Sequence, residues 1–441
     1  MSDITAEFLD QHARGLCSFI DAAPSPYHAV AEVTRRLEDA GFVAVDEQKP
    51  WTSEPGRYFV ARGGSLAAWS TEHLDGDPHA GFRVVGGHTD SPNLRISPRP
   101  ERRSLGWHQL VVEVYGGALL NSWLDRDLGL SGRVAVRDPG ARGGVSERLV
   151  KVDDAVLRVP QLAIHLDREV NSGLELNPQT HLTPVWGTTG DAPSFDAYLA
   201  DLVGVETGDV LAFDVMTHDL TPSGPLGLDG DLIAAPRLDN LATAYAGTAA
   251  LIDATQRASD EGARHIPLLV LFDHEEIGSM TSSGGFSTFL PTVLERVVTA
   301  RGGSREDYWR ALASSLIFSA DMAHATHPNY VERHEPNHRI ALGAGPVLKV
   351  NAKGRYASDA PGSAAFVLAC EQAGVPMQVF RSRGDMPCGS TIGPMSAALT
   401  GVTTVDIGSP MLSMHSAREL TGVDDPGHYV GALSAALTPR T

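Results

Sequence analysis

Cysteine is scarce in this chain of 441 residues: Cys17, Cys370 and Cys388 are the only three, scattered and odd in number. That argues against a disulfide framework and against a zinc site built on thiolates, and reduced thiols in a cytoplasmic protein fit best. Basic residues are in deficit too. Lys and Arg total 35 against 54 Asp and Glu, a net charge of −19, and a field of that sign repels phosphate backbones, so no nucleic-acid partner is expected. No apolar run approaches the roughly 20 residues of a bilayer span; the stretch Ile266–Phe272 stops far short. The opening MSDITAEFLDQHARG has acids where a secretory signal would have a basic start and an apolar run, which predicts a cytoplasmic protein with no membrane partner. Internal repeats and low-complexity tracts are missing as well. Hydrophobic residues at 42% and charged residues at 20% then describe an ordinary folded chain, long enough for two or three domains.

Two textures alternate along it. Residues 5–41 carry helical spacing (Phe8, Leu9, Leu16, Phe19, Ile20, then Ala29, Val33, Leu37), and residues 82–85 read as a short buried strand ending in Gly86-Gly87. From about Asp231 onward helix and strand signals alternate again: Leu241, Tyr245, Thr248 and Ile252 at helical spacing, then apolar strands at 266–272, 316–318 and 403–407. Between them, short alternating runs such as Leu110-Val112-Val114 and Leu130-Gly132-Val134-Val136 are broken by Gly, Pro and Asp turns. The predicted fold is α/β, a mixed central sheet covered by helices in segments 1–92 and 231–441, with a β-rich domain inserted at 93–230.

Catalytic residues of open α/β sheets gather beyond the carboxyl ends of strands. Four such positions here carry ionisable groups: His88 and Asp90, then Asp273-His274-Glu275-Glu276, then Asp321, then His415, with Asp239 at the start of the helix that runs to about Gln256. Taken singly, Asp239 would be a helix cap, either histidine a solvated side chain and Glu275-Glu276 a surface pair. Together they make an oxygen and imidazole ligand set of the kind used by catalytic zinc or manganese. A single-ion zincin is excluded, because H-E-x-x-H would need a histidine where Gly278 stands. Two ions suit the set better. Asp239 bridges them, His88 and Asp321 complete one and Glu276 and His415 the other, and a bridging hydroxide neutralises the cluster, because coordination lowers the pKa of water to about 7. Glu275, left free of metal, is the general base that takes the proton from that water. Asp90, two residues past His88, is placed to accept the imidazole's other N–H and fix its tautomer.

In these motifs the chain resembles the aspartyl aminopeptidase family of cytosolic dimetal exopeptidases. The matching segments are His88-Thr-Asp-Ser-Pro92, Arg237-Leu-Asp-Asn240, Asp273-His-Glu-Glu-Ile-Gly-Ser279, Ser319-Ala-Asp-Met-Ala-His324, Leu348-Lys-Val-Asn351, Asp385-Met-Pro-Cys-Gly-Ser-Thr-Ile-Gly-Pro394 and Gly408-Ser-Pro-Met-Leu-Ser-Met-His415. The resemblance implies the same ligands and the same base, and two divalent ions, zinc first, with manganese or cobalt as alternatives. It also implies a homo-oligomer, a tetrahedral dodecamer built from dimers, with the insert as the dimerisation domain. His165, in Ala163-Ile-His165-Leu, matches the residue that reaches a neighbouring subunit's active site. Related dimetal peptidases further imply a cis peptide between Asp239 and Asn240.

Peptides with N-terminal Asp or Glu are the substrates that the resemblance implies. For a chain of charge −19 such selectivity has to come from local cations. Lys349, with Tyr356, is assigned to substrate binding, and Lys353 and Arg355 are the competing cations. Two other functions stand beside this one. A dimetal N-deacylase or carboxypeptidase would use the same metal logic but would hold a carboxylate with Arg in place of a free amine, and a non-catalytic shell protein would not need Glu275.

Overall fold

Leu268, Val270 and Phe272 pack into one hydrophobic core while Leu269 and Leu271, between them, pack into another. Successive strand residues point to opposite faces, so a strand feeding two cores lies in a sheet covered on both sides. In the structure, a computed structural model that describes residues 4–74, 78–188, 193–258 and 263–440, that strand, Ile266–Phe272, belongs to a nine-stranded mixed sheet. The order runs Val43–Ala44, Arg57–Arg62, Ser65–Ser70, Ile266–Phe272, Phe82–His88, Leu316–His324, Thr403–Met411, Val347–Val350, Gln378–Arg381. Its centre is parallel: Phe82–His88 lies between Ile266–Phe272 and Leu316–His324, and the latter pairs in parallel with Thr403–Met411.

Helices cover both faces. On one, Ala6–Ala22, Pro26–Asp39, Leu238–Arg257, Ala360–Ala373 and Asp425–Leu437 share a core with the sheet; on the other lie Phe289–Ala300, Arg305–Ala313 and Ile392–Thr400. The first two start where the sequence supplies caps: Thr5 accepts from the Phe8 amide and Ser25 from the His28 amide, with Pro26 in the first turn. Leu16, Phe19 and Ile20 are fully buried along one stripe of the first helix, each contributing roughly 1.5–3 kcal/mol of hydrophobic stabilisation. Gly87 is required by this layering, because a Cβ there would stand 2.7 Å from Thr243 Cγ2 on the long helix. The mixed, helix-covered sheet matches the α/β expectation. Among the described residues no helix is long and apolar enough to cross a membrane.

Residues 93–219 build a separate six-stranded sheet, Val145–Leu157, Leu128–Arg137, Val210–Asp219, Asn93–Ser104, Trp107–Tyr115 and Val185–Gly187 in spatial order. All its neighbours are antiparallel, and Leu110, Val134 and Phe195 belong to its own core. A small third sheet joins Gly224–Leu226 and Leu232–Ala235 to Glu419–Gly422. Residues 1–3 and 441, at the outer ends of the sequence-based segments, lie outside the described residues.

Three strands run further than their apolar cores suggest. The strand read at 82–85 extends to His88, that at 316–318 to His324, and that at 403–407 to Met411. Apart from Met322 and Met411, the extensions are small or polar residues with no alternation to announce them, yet the parallel ladder continues through them, pairing Asp321 with Gly408. Asp321 therefore sits inside its strand and not beyond it.

Candidate active site

Each chemistry-bearing residue is placed by the carboxyl half of a central strand or by the loop that follows one. His88 closes Phe82–His88, and Glu275 and Glu276 lie in the short 3-10 turn after Ile266–Phe272. Asp321 lies in Leu316–His324, and His415 follows Thr403–Met411. Asp239 stands in the first turn of the helix assigned Leu238–Arg257, where its φ and ψ are not helical, and the peptide to Asn240 is cis, as expected.

The side chains converge. His88 Nε2 is 3.2 Å from Asp239 Oδ1 and 3.6 Å from Asp321 Oδ1, whereas His415 Nε2 is 3.5 Å from Asp239 Oδ2 and 3.2 Å from Glu276 Oε1. One oxygen of Asp239 thus faces each half. Donor atoms of His88, Asp239 and Glu276 all lie within 4.8 Å of one another. Exposure rises across the site, from 2% for the His88 side chain to 29% for that of His415, so it opens on the His415 side.

These residues fit a metal. Asp239 Oδ1 and Glu276 Oε1 are buried and no hydrogen bond satisfies either one, an expensive arrangement for carboxylates unless a cation answers them. Burial opposes charge on His415, but Asp239 and Glu276 beside it prevail and push the imidazole up to about 11. His88 is held well above its ordinary range, against burial, by Asp239, Asp321 and Asp90. Burial pushes Glu276 up to about 7 and Glu275 up to about 8; for Glu275 the field of His88 resists, and Asp321, Glu276 and Asp90 add to the rise.

Two buried carboxylates hold the backbone of this site. Asp90 Oδ1 accepts the Glu275 amide at 3.1 Å, and Oδ2 accepts the Glu276 amide at 3.1 Å and the Tyr115 hydroxyl at 2.7 Å. His88 Nδ1 lies 3.0 Å from the Asp90 carbonyl oxygen and 3.4 Å from its carboxylate. The expectation that the carboxylate orients His88 is thereby refined: the nearer acceptor is the main chain, and the carboxylate is occupied with the glutamates. Glu419, which sequence reasoning passed over, accepts the Asp239 amide at 3.1 Å and the His415 amide at 2.6 Å. Nothing in Ala417-Arg-Glu419 marks it in the sequence.

The six-stranded sheet also reaches the site. Tyr115 ends one of its strands, and the carbonyl of Gly117 lies 3.1 Å from His415 Nδ1. Gly116 adopts φ +71°, and a Cβ there would come within 3.1 Å of Glu276 Cβ. Lys349 is only 2% exposed, with Nζ 3.7 Å from Asp321 Oδ2 and 5.6 Å from the centre of the Tyr356 ring. Tyr356 is buried against Phe380. Lys353 and Arg355 are exposed and line a neighbouring cavity of about 690 Å³. His165 lies in an exposed turn, and among the described residues no hydrogen bond or ion pair joins its side chain to the cluster.

The family model for aminopeptidase I zinc metalloprotease (M18) matches residues 19–436. Proteins described as probable M18 family aminopeptidase 2 are similar throughout: that of Mycobacterium tuberculosis is 53% identical over 430 residues, covering 97% of this chain and 98% of its own. The Streptomyces coelicolor protein is 51% identical over 431 residues, with the same 97% and 98% coverage. Among solved structures, the cryo-EM structure of the Ape4 and Nbr1 complex superposes at a TM-score of 0.92 with 36% identity, covering 98% of this chain and 87% of that one. The S. cerevisiae mApe1 dodecamer gives 0.83 with 28% identity and 96% of each chain. With a matching family model over nearly its whole length and carboxylates in its site that call for a cation, the chain belongs to the aminopeptidase I zinc metalloprotease (M18) family and is a metal-dependent aminopeptidase.

Proposed function

We propose that this protein removes N-terminal Asp or Glu from peptides, with two divalent cations, zinc first, held by His88, Asp239, Glu276, Asp321 and His415. The observation that carries the reading is the two-sided placement of Asp239, one oxygen toward His88 and the other toward His415. Cations held there would acidify a shared water and polarise the scissile carbonyl. The rest falls to side chains of this chain. Glu275, partly buried in the field of His88, Asp321 and Glu276, takes a proton from the attacking water and delivers it to the leaving amine. Burial pushes its carboxyl up from the ordinary range, which suits a group that must both accept and release a proton. Lys349 supplies the positive charge for the substrate's acidic side chain, and Tyr356 forms part of the same wall.

The assembly is part of the proposal. Segments 1–92 and 231–441 form the catalytic unit, and 93–230 is an inserted dimerisation domain through which a cytoplasmic homo-oligomer forms, on the pattern of the mApe1 dodecamer. Leu162, Ile164 and Leu166 are all exposed around His165, the apolar surface expected where a segment docks on a second subunit. His165 would then enter the neighbour's site. An assay against aminoacyl amides, before and after chelation and after metal replacement, tests the reading. Cleavage of Asp and Glu amides that chelation abolishes and zinc restores is the expected result; equal rates on Leu and Ala amides would remove the acidic preference, and turnover of N-acylated substrates would favour the deacylase.

A further inference from the structure

The mechanism assigns no task to Glu419, although it is 3% exposed and its two oxygens are the partners of two ligand residues. Oε2 accepts the amide of Asp239 and Oε1 the amide of His415. Those residues come from opposite parts of the chain, and their side chains meet at 3.5 Å. Glu419 itself is anchored: it opens the strand Glu419–Gly422, where it pairs with Ala235, four residues before Asp239. The amides it receives are ones that regular structure does not satisfy. His415 has φ +68°, in the left-handed region that non-glycine residues avoid, and Asp239 lies in a first turn with non-helical φ and ψ.

We infer that Glu419 is a positioning residue that fixes the spacing between the bridging Asp239 and His415, and so tunes metal affinity on the side of the site where it opens. The inference rests on the metal-dependent reading above. A carboxylate is required by the geometry, because two N–H groups need two acceptor oxygens. Glutamine, the same size, offers one oxygen and one NH₂, and the NH₂ would face an amide that can only donate. Aspartate keeps both oxygens but is a methylene shorter. Asp90 does the corresponding work for Glu275 and Glu276, so the two carboxylates hold different halves of the ligand set.

Glu419→Gln tests this in the full-length protein, with zinc competed against a chromogenic chelator and content measured by elemental analysis. The expected result is a loss of about 10- to 100-fold in zinc affinity, the range seen when groups supporting metal ligands are changed. The melting temperature without metal should fall modestly, because one buried amide loses its acceptor, and the rise on adding zinc should shrink as well. A residue that merely stabilises the fold would instead lower both melting temperatures equally and leave the competition unchanged, and that result overturns the inference. Should Glu419→Gln fail to fold, Glu419→Asp takes its place; if neither folds even in excess zinc, Glu419 is a residue of the fold alone and the inference fails. The parent protein guards the broader reading, since parent zinc binding with no aminopeptidase activity would sink the proposed function without touching this inference.

Discussion

Glu275 and Glu276 are adjacent in sequence, and their different surroundings give them different work. Glu276 Oε1 faces His415 at 3.2 Å, whereas Glu275 lies in the field of both ligand groups without being placed between the two histidines. Glu275→Gln should therefore keep near-normal metal content and lose at least about a hundredfold in kcat, the scale of general acid–base catalysis. On the proposed two-cation reading, Asp239→Ala should instead strip metal from both halves, since one of its oxygens faces each histidine; elemental analysis of the two variants separates the cases. Lys349→Ala should lower kcat/KM for N-terminal Asp much more than for Leu, by about ten- to a hundredfold, because a charge-assisted hydrogen bond contributes roughly 1.5–3 kcal/mol. An equal loss on both substrates would assign Lys349 to holding Asp321, 3.7 Å away, and would pass the acid-binding role to Arg355 or Lys353.

The helices Ala6–Ala22 and Pro26–Asp39 carry a liability of a different kind, a buried histidine each. His12 shares a hydrogen bond of 2.8 Å with the Tyr245 hydroxyl and His28 one of 2.8 Å with the Ser25 hydroxyl. Burial lowers both imidazoles to about 4, below the value of about 6.5 for an unfolded chain. The unfolded state then binds more protons between those values. Stability is fully present above about 6.5 and falls as pH drops toward about 4. Melting temperatures from pH 7 to pH 4.5 should decline, and His12→Gln or His28→Gln should each flatten that decline; an unchanged slope in both would refute the assignment. At this scale the sequence was readable where burial writes a pattern. The apolar run Ile266–Phe272 and the stripe of Leu16, Phe19 and Ile20 announce their elements because every or nearly every residue on the face is buried. Strand ends such as Ser319–His324 gave no such signal, since most of the residues buried there are small or polar and leave no run of large apolar side chains to read, although the parallel pairing continues through them. The candidate ligands were legible as a group because few other arrangements explain so many ionisable residues after apolar runs, and the structure brings His88, Asp239 and Glu276 within 4.8 Å of one another. Glu419 was not legible, because its role exists only once residues 239 and 415 are brought together. Lys349 is named in the sequence by the resemblance, but its burial at 2% exposure is not legible there, because a lysine in a short strand reads as solvated until its neighbours close over it.

The two large sheets are joined at the site itself. Tyr115 donates to Asp90, and Gly117 meets His415, so the six-stranded sheet is a wall of the chemistry as well as a candidate for subunit contacts. Removing residues 93–230 should abolish turnover even though all five candidate ligands remain. Finer substitutions separate assembly from chemistry. Leu162→Asp with Leu166→Asp should yield a smaller species in light scattering and lose activity, whereas His165→Ala should assemble normally and lose kcat; a fully active monomer would contradict the shared site. The position of Phe82–His88 has one more consequence, for the order of synthesis. That strand sits mid-sheet, yet both its neighbours, Ile266–Phe272 and Leu316–His324, lie far downstream in the chain. At roughly 5–20 residues per second on the ribosome, it waits on the order of 10–50 s for its second partner. For that interval a nascent chain carries a bare strand with Phe82, Val84 and Val85 uncovered and two open edges, the kind of template that invites pairing with another chain. Shielding by a ribosome-associated chaperone, or slow codons placed to let the six-stranded sheet fold first, should raise the soluble yield of this protein more than lowering the growth temperature does.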